Sequence, residues 1–364
     1  MGVTSRNWKD FQKPTNVNKQ KFKTRRGQGS KKKNKKFNLK ILGTNADGIT
    51  AKKASLTNLL KNEKPTVFMI QETKLKTVGK LKINGFQIFE TVRTNPNGGG
   101  GLALGISNEV DCEPILITNG DDETEMIVVE ANINGMPIRF FNGYGPQENT
   151  SESKAQEFYD KLDEEIVNAQ HSNCEIIIEM DFNAKLGDEY IKDDPNKMSR
   201  NGRIMSKLIE TRNLKIVNSS EKCHGTITRS KLTTNGTEKS VIDYVVVSQN
   251  IFNSVERMDI DEAKEKVLTN YRSKTVSDHN IITCNFNVTV PKIKPKRIEI
   301  FKFRNKEQLK LFRENTETAN ELIKVFETNE NILIQGKKWY KKLRQILQKS
   351  FTKIRITNKK KNEQ

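Results

Sequence analysis

From residue 39 onward short apolar runs alternate with polar stretches, and the runs have strand length rather than helix length. They fall at 39–43, 66–70, 102–106, 126–130, 138–142, 175–179, 241–247 and 281–286, each ending in polar residues. That pattern predicts strands. Three other stretches, 54–61, 153–169 and 203–211, carry helical spacing. In the longest, Phe158, Leu162, Ile166 and Ala169 share one face. Hairpin-like strand pairs interspersed with helices predict an α/β fold of two mixed β-sheets packed face to face with helices outside.

The pattern fails at both ends. Residues 1–37 are rich in Lys, Asn, Gln and Gly and nearly lack aliphatics, which reads as a disordered basic tail. Its Arg25-Arg26 pair and its Lys31-Lys32-Lys33-Asn34-Lys35-Lys36 cluster fit a nuclear-localisation or nucleic-acid patch. After 290, residues 291–295 read as a proline-flanked linker. Two amphipathic helices follow at about 306–328 and 337–353, the second with Trp339, Leu343, Ile346 and Leu347 on one stripe, suited to core or to a protein partner. The chain thus divides into a tail (1–37), one large domain (38–290) and a basic helical extension (291–364).

Charge sharpens this division. Of a net +19, residues 1–37 hold +12 and residues 291–364 hold +13, leaving −6 for residues 38–290. Basic arms around an acidic core suit a polymeric phosphate partner, DNA above all, with carboxylates gathered about a metal; the plainer reading is two solubilising tails. No run approaches the roughly 18 apolar residues of a membrane span, and the N-terminus lacks an apolar signal region. The four cysteines, Cys112, Cys174, Cys223 and Cys284, show no CxxC spacing, which favours reduced thiols in nucleus or cytoplasm over disulfides or a zinc site.

The polar residues that follow these runs carry the chemistry. Asn45 and Asp47 follow the first run, Glu72 the second, Tyr144 the fifth, and Asp181 and Asn183 the sixth; Asp243 sits in the seventh, and Asp278 and His279 precede the eighth. Strand ends are where open α/β sheets collect their sites. One such Asp is usually a turn former, and a lone His is usually structural. Six such runs out of eight is a different matter. Gly98–Gly101 is followed by no Lys-Ser/Thr pair, so it reads as a hairpin loop rather than a phosphate cradle.

Thr44-Asn45-Ala46-Asp47-Gly48, Gln71-Glu72-Thr73-Lys74, Tyr144-Gly145-Pro146, Asp181-Phe182-Asn183, Ile242-Asp243-Tyr244 and Ser277-Asp278-His279 resemble the successive motifs of the endonuclease/exonuclease/phosphatase superfamily. Among its members the chain looks most similar to the endonuclease domains of non-LTR (LINE-type) retrotransposons. The resemblance covers residues 38–290 and implies a four-layer α/β sandwich. It also implies Mg²⁺-dependent hydrolysis of DNA phosphodiesters (Mn²⁺ as substitute) to 5′-phosphate and 3′-hydroxyl ends.

Such hydrolysis needs the phosphate neutralised, a water activated and the leaving oxygen stabilised. Glu72 is the first-choice metal ligand, with Asp47 and Asp278 as helpers. Asp181 is the candidate to orient or deprotonate water, with Asn45 and Asn183 holding it or the phosphate. His279 would contact a phosphate oxygen as imidazolium; the resemblance makes Asp243 the carboxylate that supports it. Tyr144 could donate its hydroxyl. Thr226, in a segment similar to the Thr-x-Thr-Arg region of retrotransposon endonucleases, together with Arg203 and Ser277, are candidates for DNA contact.

Two details bear on the branch. Met180 stands where many members have Gly, and could reshape the floor of the site. Residues 225–240 contain no aromatic ring with which to enclose a flipped abasic sugar, so abasic-site repair is disfavoured and a variable loop at 226–240 is expected to meet the DNA backbone. The Lys337-Lys338-Trp339-Tyr340 flank resembles the connector before reverse transcriptase in LINE-type polyproteins. A piece of a longer element, a degenerate copy and a host gene derived from one all stay open. So do a repair nuclease, a small-phosphoester phosphatase and a non-catalytic DNA-binding adaptor, although none of Glu72, Asp181, Asn183, Asp243 or His279 is lost, as decay would predict.

Overall fold

The computed structural model describes residues 37–93, 99–118, 124–290, 299–301 and 353–355. The tail, the linker and the two helices expected after 305 lie outside these residues. Only Phe37, which begins the first strand, and a short ribbon pairing Glu299–Phe301 with Lys353–Arg355 are described there.

The strands are β1 (Phe37–Asn45), β2 (Val67–Gln71), β3 (Phe86–Thr91), β4 (Leu102–Ser107), β5 (Cys112–Ile117), β6 (Met126–Ile133), β7 (Met136–Gly143) and β8 (Glu175–Asp181). They continue with β9 (Lys215–Ile216), β10 (Cys223–His224), β11 (Arg229–Thr233), β12 (Gly236–Ser240), β13 (Asp243–Val247), β14 (Val255–Ile260) and β15 (Ile282–Val290). Helices are α1 (Lys53–Glu63), α2 (Glu152–His171), α3 (Arg200–Thr211) and α4 (Gln249–Ser254). One mixed sheet has the order β10-β14-β15-β1-β2-β4-β3, the other β5-β6-β7-β8-β13-β9, and β11-β12 is a separate hairpin.

The continuous apolar runs are explained by burial on both faces. Successive strand residues point to opposite sides. On β2, Val67 and Met69 enter the layer between the sheets, whereas Phe68 and Ile70 meet α1 outside with Leu56, Leu59 and Leu60. On β8 and β13, Ile177, Val245 and Val247 face inward, while Ile176, Ile178, Tyr244 and Val246 face α2 and α3. The layers therefore run α1, sheet, sheet, α2 with α3, the four-layer sandwich expected. The predicted stripe of α2, Phe158, Leu162, Ile166 and Ala169, is fully buried. Helix α3 starts at Arg200, where the Ser199 hydroxyl caps the Gly202 N–H at 3.1 Å.

One polar layer interrupts the core. Gln71 Nε2 donates to Asn142 Oδ1 (2.8 Å) and to Glu179 Oε2 (3.1 Å), tying the two sheets together beneath their strand ends. Gly43 on β1 makes this possible, because a Cβ there would sit 1.9 Å from the Glu179 carboxyl carbon.

Candidate active site

The strand ends of both sheets open onto a cavity of about 640 Å³. Asn45, Asp47, Glu72, Tyr144, Asp181, Asn183, Asp278 and His279 all line it, so eight residues separated by up to 234 positions in sequence share one space. Asp243 stands directly behind His279. Four residues at the site, Asp47 (φ 45°), Glu72 (φ 47°), Lys74 (φ 51°) and Asn183 (φ 46°), hold left-handed backbone despite carrying side chains. Such strain persists where surrounding structure enforces it, and it gathers at functional sites.

The centre is a row of three buried groups. His279 Nδ1 lies 2.9 Å from Asp243 Oδ2, and its Nε2 lies 3.8 Å from Asp181 Oδ2. Register supplies the spacing, since Asp243 and Asp181 are cross-strand partners in the β13–β8 ladder. Thr228, at the foot of the β11–β12 hairpin, accepts the Asp243 N–H at 3.1 Å. Asn45 Nδ2 donates to Asp181 Oδ2 (3.0 Å), and the Asn183 N–H donates to Asp181 Oδ1 (3.0 Å).

Charge follows from this packing. Burial lifts the Asp181 carboxyl to a pKa of about 7, helped by the nearby Asp243 charge. Burial opposes the His279 imidazolium, but the Asp243 carboxylate outweighs it and the pKa rises to about 9. At neutral pH the imidazole is therefore a cation, held between the Asp243 and Asp181 side chains.

A second cluster adjoins the first, joined to it through the Asn45 amide. Glu72 Oε1 accepts from Tyr144 Oη (2.8 Å) and from Asn45 Nδ2 (3.0 Å). Its Oε2 lies 3.2 Å from Lys74 Nζ, which also binds Asp47 Oδ1. The Lys74 hydrogen bond holds the Asp47 pKa below its ordinary value. Two carboxylates converge there on a cation, the Lys74 ammonium, and carboxylate oxygens are the donor set that suits a hard divalent ion. Asp181, Asp243 and His279 also bring ligand atoms within 4.8 Å of one another. Their His279 Nδ1–Asp243 bond is already made, however, and imidazole is a poor partner for Mg²⁺, so the Glu72 side fits the ion better.

The other expected residues lie elsewhere. Asp278 lines the cavity and pairs with Arg229 Nε at 2.8 Å. Ser277 is buried and donates to the Asn45 carbonyl at 2.7 Å, bracing β1 rather than facing the cavity. Thr226 is outside, its N–H bound to Glu262; the threonine within reach of the centre is Thr228. Arg203 is exposed in a separate groove between α2 and α3, while its neighbour Arg200 binds the Thr150 carbonyl at 2.8 Å. Met180 points into the outer helix-facing core with Tyr159 and Phe182, because side chains alternate along β8, so it does not form the floor of the site.

Arg229 and Lys231 line the cavity from the β11–β12 hairpin and were not singled out from sequence. The stretch 226–240 reads as a loop because its residues are polar, yet Asn235-Gly236 at its turn is a hairpin signal.

The family described as endonuclease-reverse transcriptase matches residues 138–283. The endonuclease domain of TRAS1, a telomere-specific non-LTR retrotransposon, superposes with a TM-score of 0.50 at 16% identity, over 69% of this chain and 99% of that one. A 3′-5′ exonuclease from Neisseria meningitidis gives 0.54 at 18% identity, over 68% and 100%. The chain has the endonuclease/exonuclease/phosphatase fold. An AP endonuclease from Leishmania major shares this fold with a TM-score of 0.54 at 14% identity, over 68% of this chain and 87% of that one. No curated protein matches the chain in sequence.

Proposed function

We propose that this endonuclease/exonuclease/phosphatase-fold chain is a Mg²⁺-dependent DNA endonuclease that nicks a target strand in a retrotransposon-like setting, leaving 5′-phosphate and 3′-hydroxyl ends. The observation that carries the reading is the row Asp181–His279–Asp243 beside the Glu72 and Asp47 carboxylates, with Asn45 bridging Asp181 to Glu72 at the mouth of one open cavity. The likeness to a retrotransposon endonuclease supports it, as does that to a Neisseria 3′ phosphatase bound to a product DNA hairpin.

In this reading Asp181, with a pKa near neutrality, accepts the proton of the attacking water. Asn45 and Asn183 hold its two oxygens so that one lone pair stays aimed into the cavity. His279 offers Nε2–H to a nonbridging phosphate oxygen, and Asp243 keeps the ring charged and oriented. Tyr144 adds a hydroxyl donor. Glu72 and Asp47, with Asp278 as a helper, would hold the ion, which would supply neutralisation of phosphate charge and of the leaving oxygen. Arg229 and Lys231 suit the flanking DNA backbone. The basic segment 1–37 supports residence in the nucleus, and the extension after 290 suits a protein partner.

The test is relaxation of supercoiled plasmid by the purified chain. Nicking that requires Mg²⁺ or Mn²⁺, stops in EDTA, and falls at least about a hundredfold in His279→Ala is expected. Plasmid binding that persists in EDTA with no nicking under any metal would overturn the reading in favour of an adaptor.

A further inference from the structure

The turn after β14 carries a half-buried lysine whose ammonium is bonded to backbone carbonyls rather than to a carboxylate. Lys264 Nζ donates to three consecutive carbonyls, Ser277 O (3.1 Å), Asp278 O (3.3 Å) and His279 O (2.8 Å). An ammonium has three N–H donors and no acceptor, and here all three are used on one strip of backbone. Three carbonyls turned to one side resemble a small cation site, filled by a side chain of the protein itself.

The lysine is held in place independently. The Asp261 carboxylate accepts the N–H groups of Glu265 (3.1 Å) and Lys266 (2.6 Å), and the Lys264 N–H returns to the Asp261 carbonyl (3.1 Å). Lys264 itself has φ 56°, the left-handed conformation that closes such a turn. From the other side, Ser277 Oγ binds the Asn45 carbonyl (2.7 Å), Ser230 N binds Asp278 O (2.8 Å), and Asn280 N binds Thr228 O (2.7 Å). With its carbonyls taken by Lys264, the segment turns the side chains of Asp278 and His279 toward the cavity.

We propose that Lys264 is a positioning residue for the reaction: by gathering the carbonyls of Ser277, Asp278 and His279 it fixes where the His279 ring stands against Asp243 and Asp181. This rests on the nuclease reading for its kinetic consequence, but the placement of the ring can be followed without activity. A displacement on the order of 1 Å at a reacting group costs up to about a hundredfold in rate. Because the residue touches no substrate, that cost belongs to kcat rather than KM.

The experiment compares Lys264→Met, Lys264→Arg and a control on the same turn, Lys266→Met, whose ammonium pairs with Glu63 at 3.2 Å. Plasmid nicking is measured as kcat and KM, and the imidazole ¹⁵N–¹H signals of the three histidines are recorded without metal, His279 being assigned from His279→Ala. Lys264→Met is expected to lower kcat about 10- to 100-fold with KM within about twofold, and to shift or broaden the His279 Nδ1–H signal. Lys264→Arg should recover most of the rate and the signal, and Lys266→Met should change neither. If Lys264→Met is folded but keeps the wild-type kcat and an unmoved His279 signal, the proposal fails. It fails equally if the loss lies in KM, or if Lys264→Arg behaves like Lys264→Met. Should Lys264→Met not fold, Lys264→Arg and Lys264→Gln are judged by the same signal. Absence of nicking in the wild type would sink the nuclease reading alone, leaving the spectra to decide on Lys264.

Discussion

Glu179 and Asp181 stand two residues apart on the same face of β8, both buried, yet they do opposite things. Glu179 lies in the polar layer between the sheets, where its carboxyl meets only the Gln71 amide and one of its oxygens has no partner. Burial pushes its pKa well above the ordinary carboxylate value, which favours the uncharged acid. Asp181, one pleat nearer the strand end, has two amide donors, the His279 cation at 3.8 Å and an open cavity. It can hold a charge near neutrality. A buried carboxylate becomes useful for proton transfer only where donors and a cation offset the loss of water, and on β8 the boundary falls between these two residues.

The largest break in this contrast should come from Asp181→Ala, which is expected to lower nicking at least about a hundredfold, whereas Glu179→Gln should stay within a fewfold of wild type when both are followed by plasmid relaxation. Tyr144→Phe removes the hydroxyl that binds Glu72, and a loss of about tenfold in kcat, read in the same assay, is the expected middle case. On the interior side, Gly43→Ala should destabilise the fold by about 1–3 kcal/mol in urea unfolding, because the new methyl collides with the Glu179 carboxyl.

The smallest effect is a slope. Glu179 has a folded pKa above its unfolded one, so the folded state retains a proton that the unfolded state gives up. Its contribution to stability is fully present below about pH 4.5 and is lost as pH rises toward the folded pKa. Glu179→Gln cannot titrate. Urea midpoints recorded from pH 4.5 to 8 should therefore fall less steeply with pH in the variant than in the wild type; parallel curves would show Glu179 to be ionised.

Much of the site was legible because each element of it is local. A strand buried on both faces announces itself as an apolar run, and the residue that follows it emerges at the sheet edge; Asn45, Glu72, Tyr144 and Asp181 were found in that way. What escaped lies where this rule weakens. β5 is an edge strand with Pro114 and mostly exposed residues, and β14 carries a register shift between Val255 and Arg257 that breaks its alternation. The β11–β12 hairpin is polar on both faces, so Arg229 and Lys231 gave no periodic signal. Thr226 and Thr228 are alike in sequence, and only burial and the bond from the Asp243 N–H single out Thr228. Lys264 was invisible for a deeper reason: its partners are backbone carbonyls, which every residue carries.

The pairing of β1 with β15 has a consequence in time. Leu39 aligns with Phe286 and Gly43 with Ile282, so the first strand of the domain lies beside its last. Asn45 and Asp47 leave one of these strands, and Asp278 and His279 enter the other. During synthesis the row of Asp181, His279 and Asp243 cannot close until the ribosome has released nearly all of the residues between the end of β1 at Asn45 and the start of β15 at Ile282, by the usual order of emergence. Until that last strand emerges the row therefore stays open, and the site is completed late and all at once.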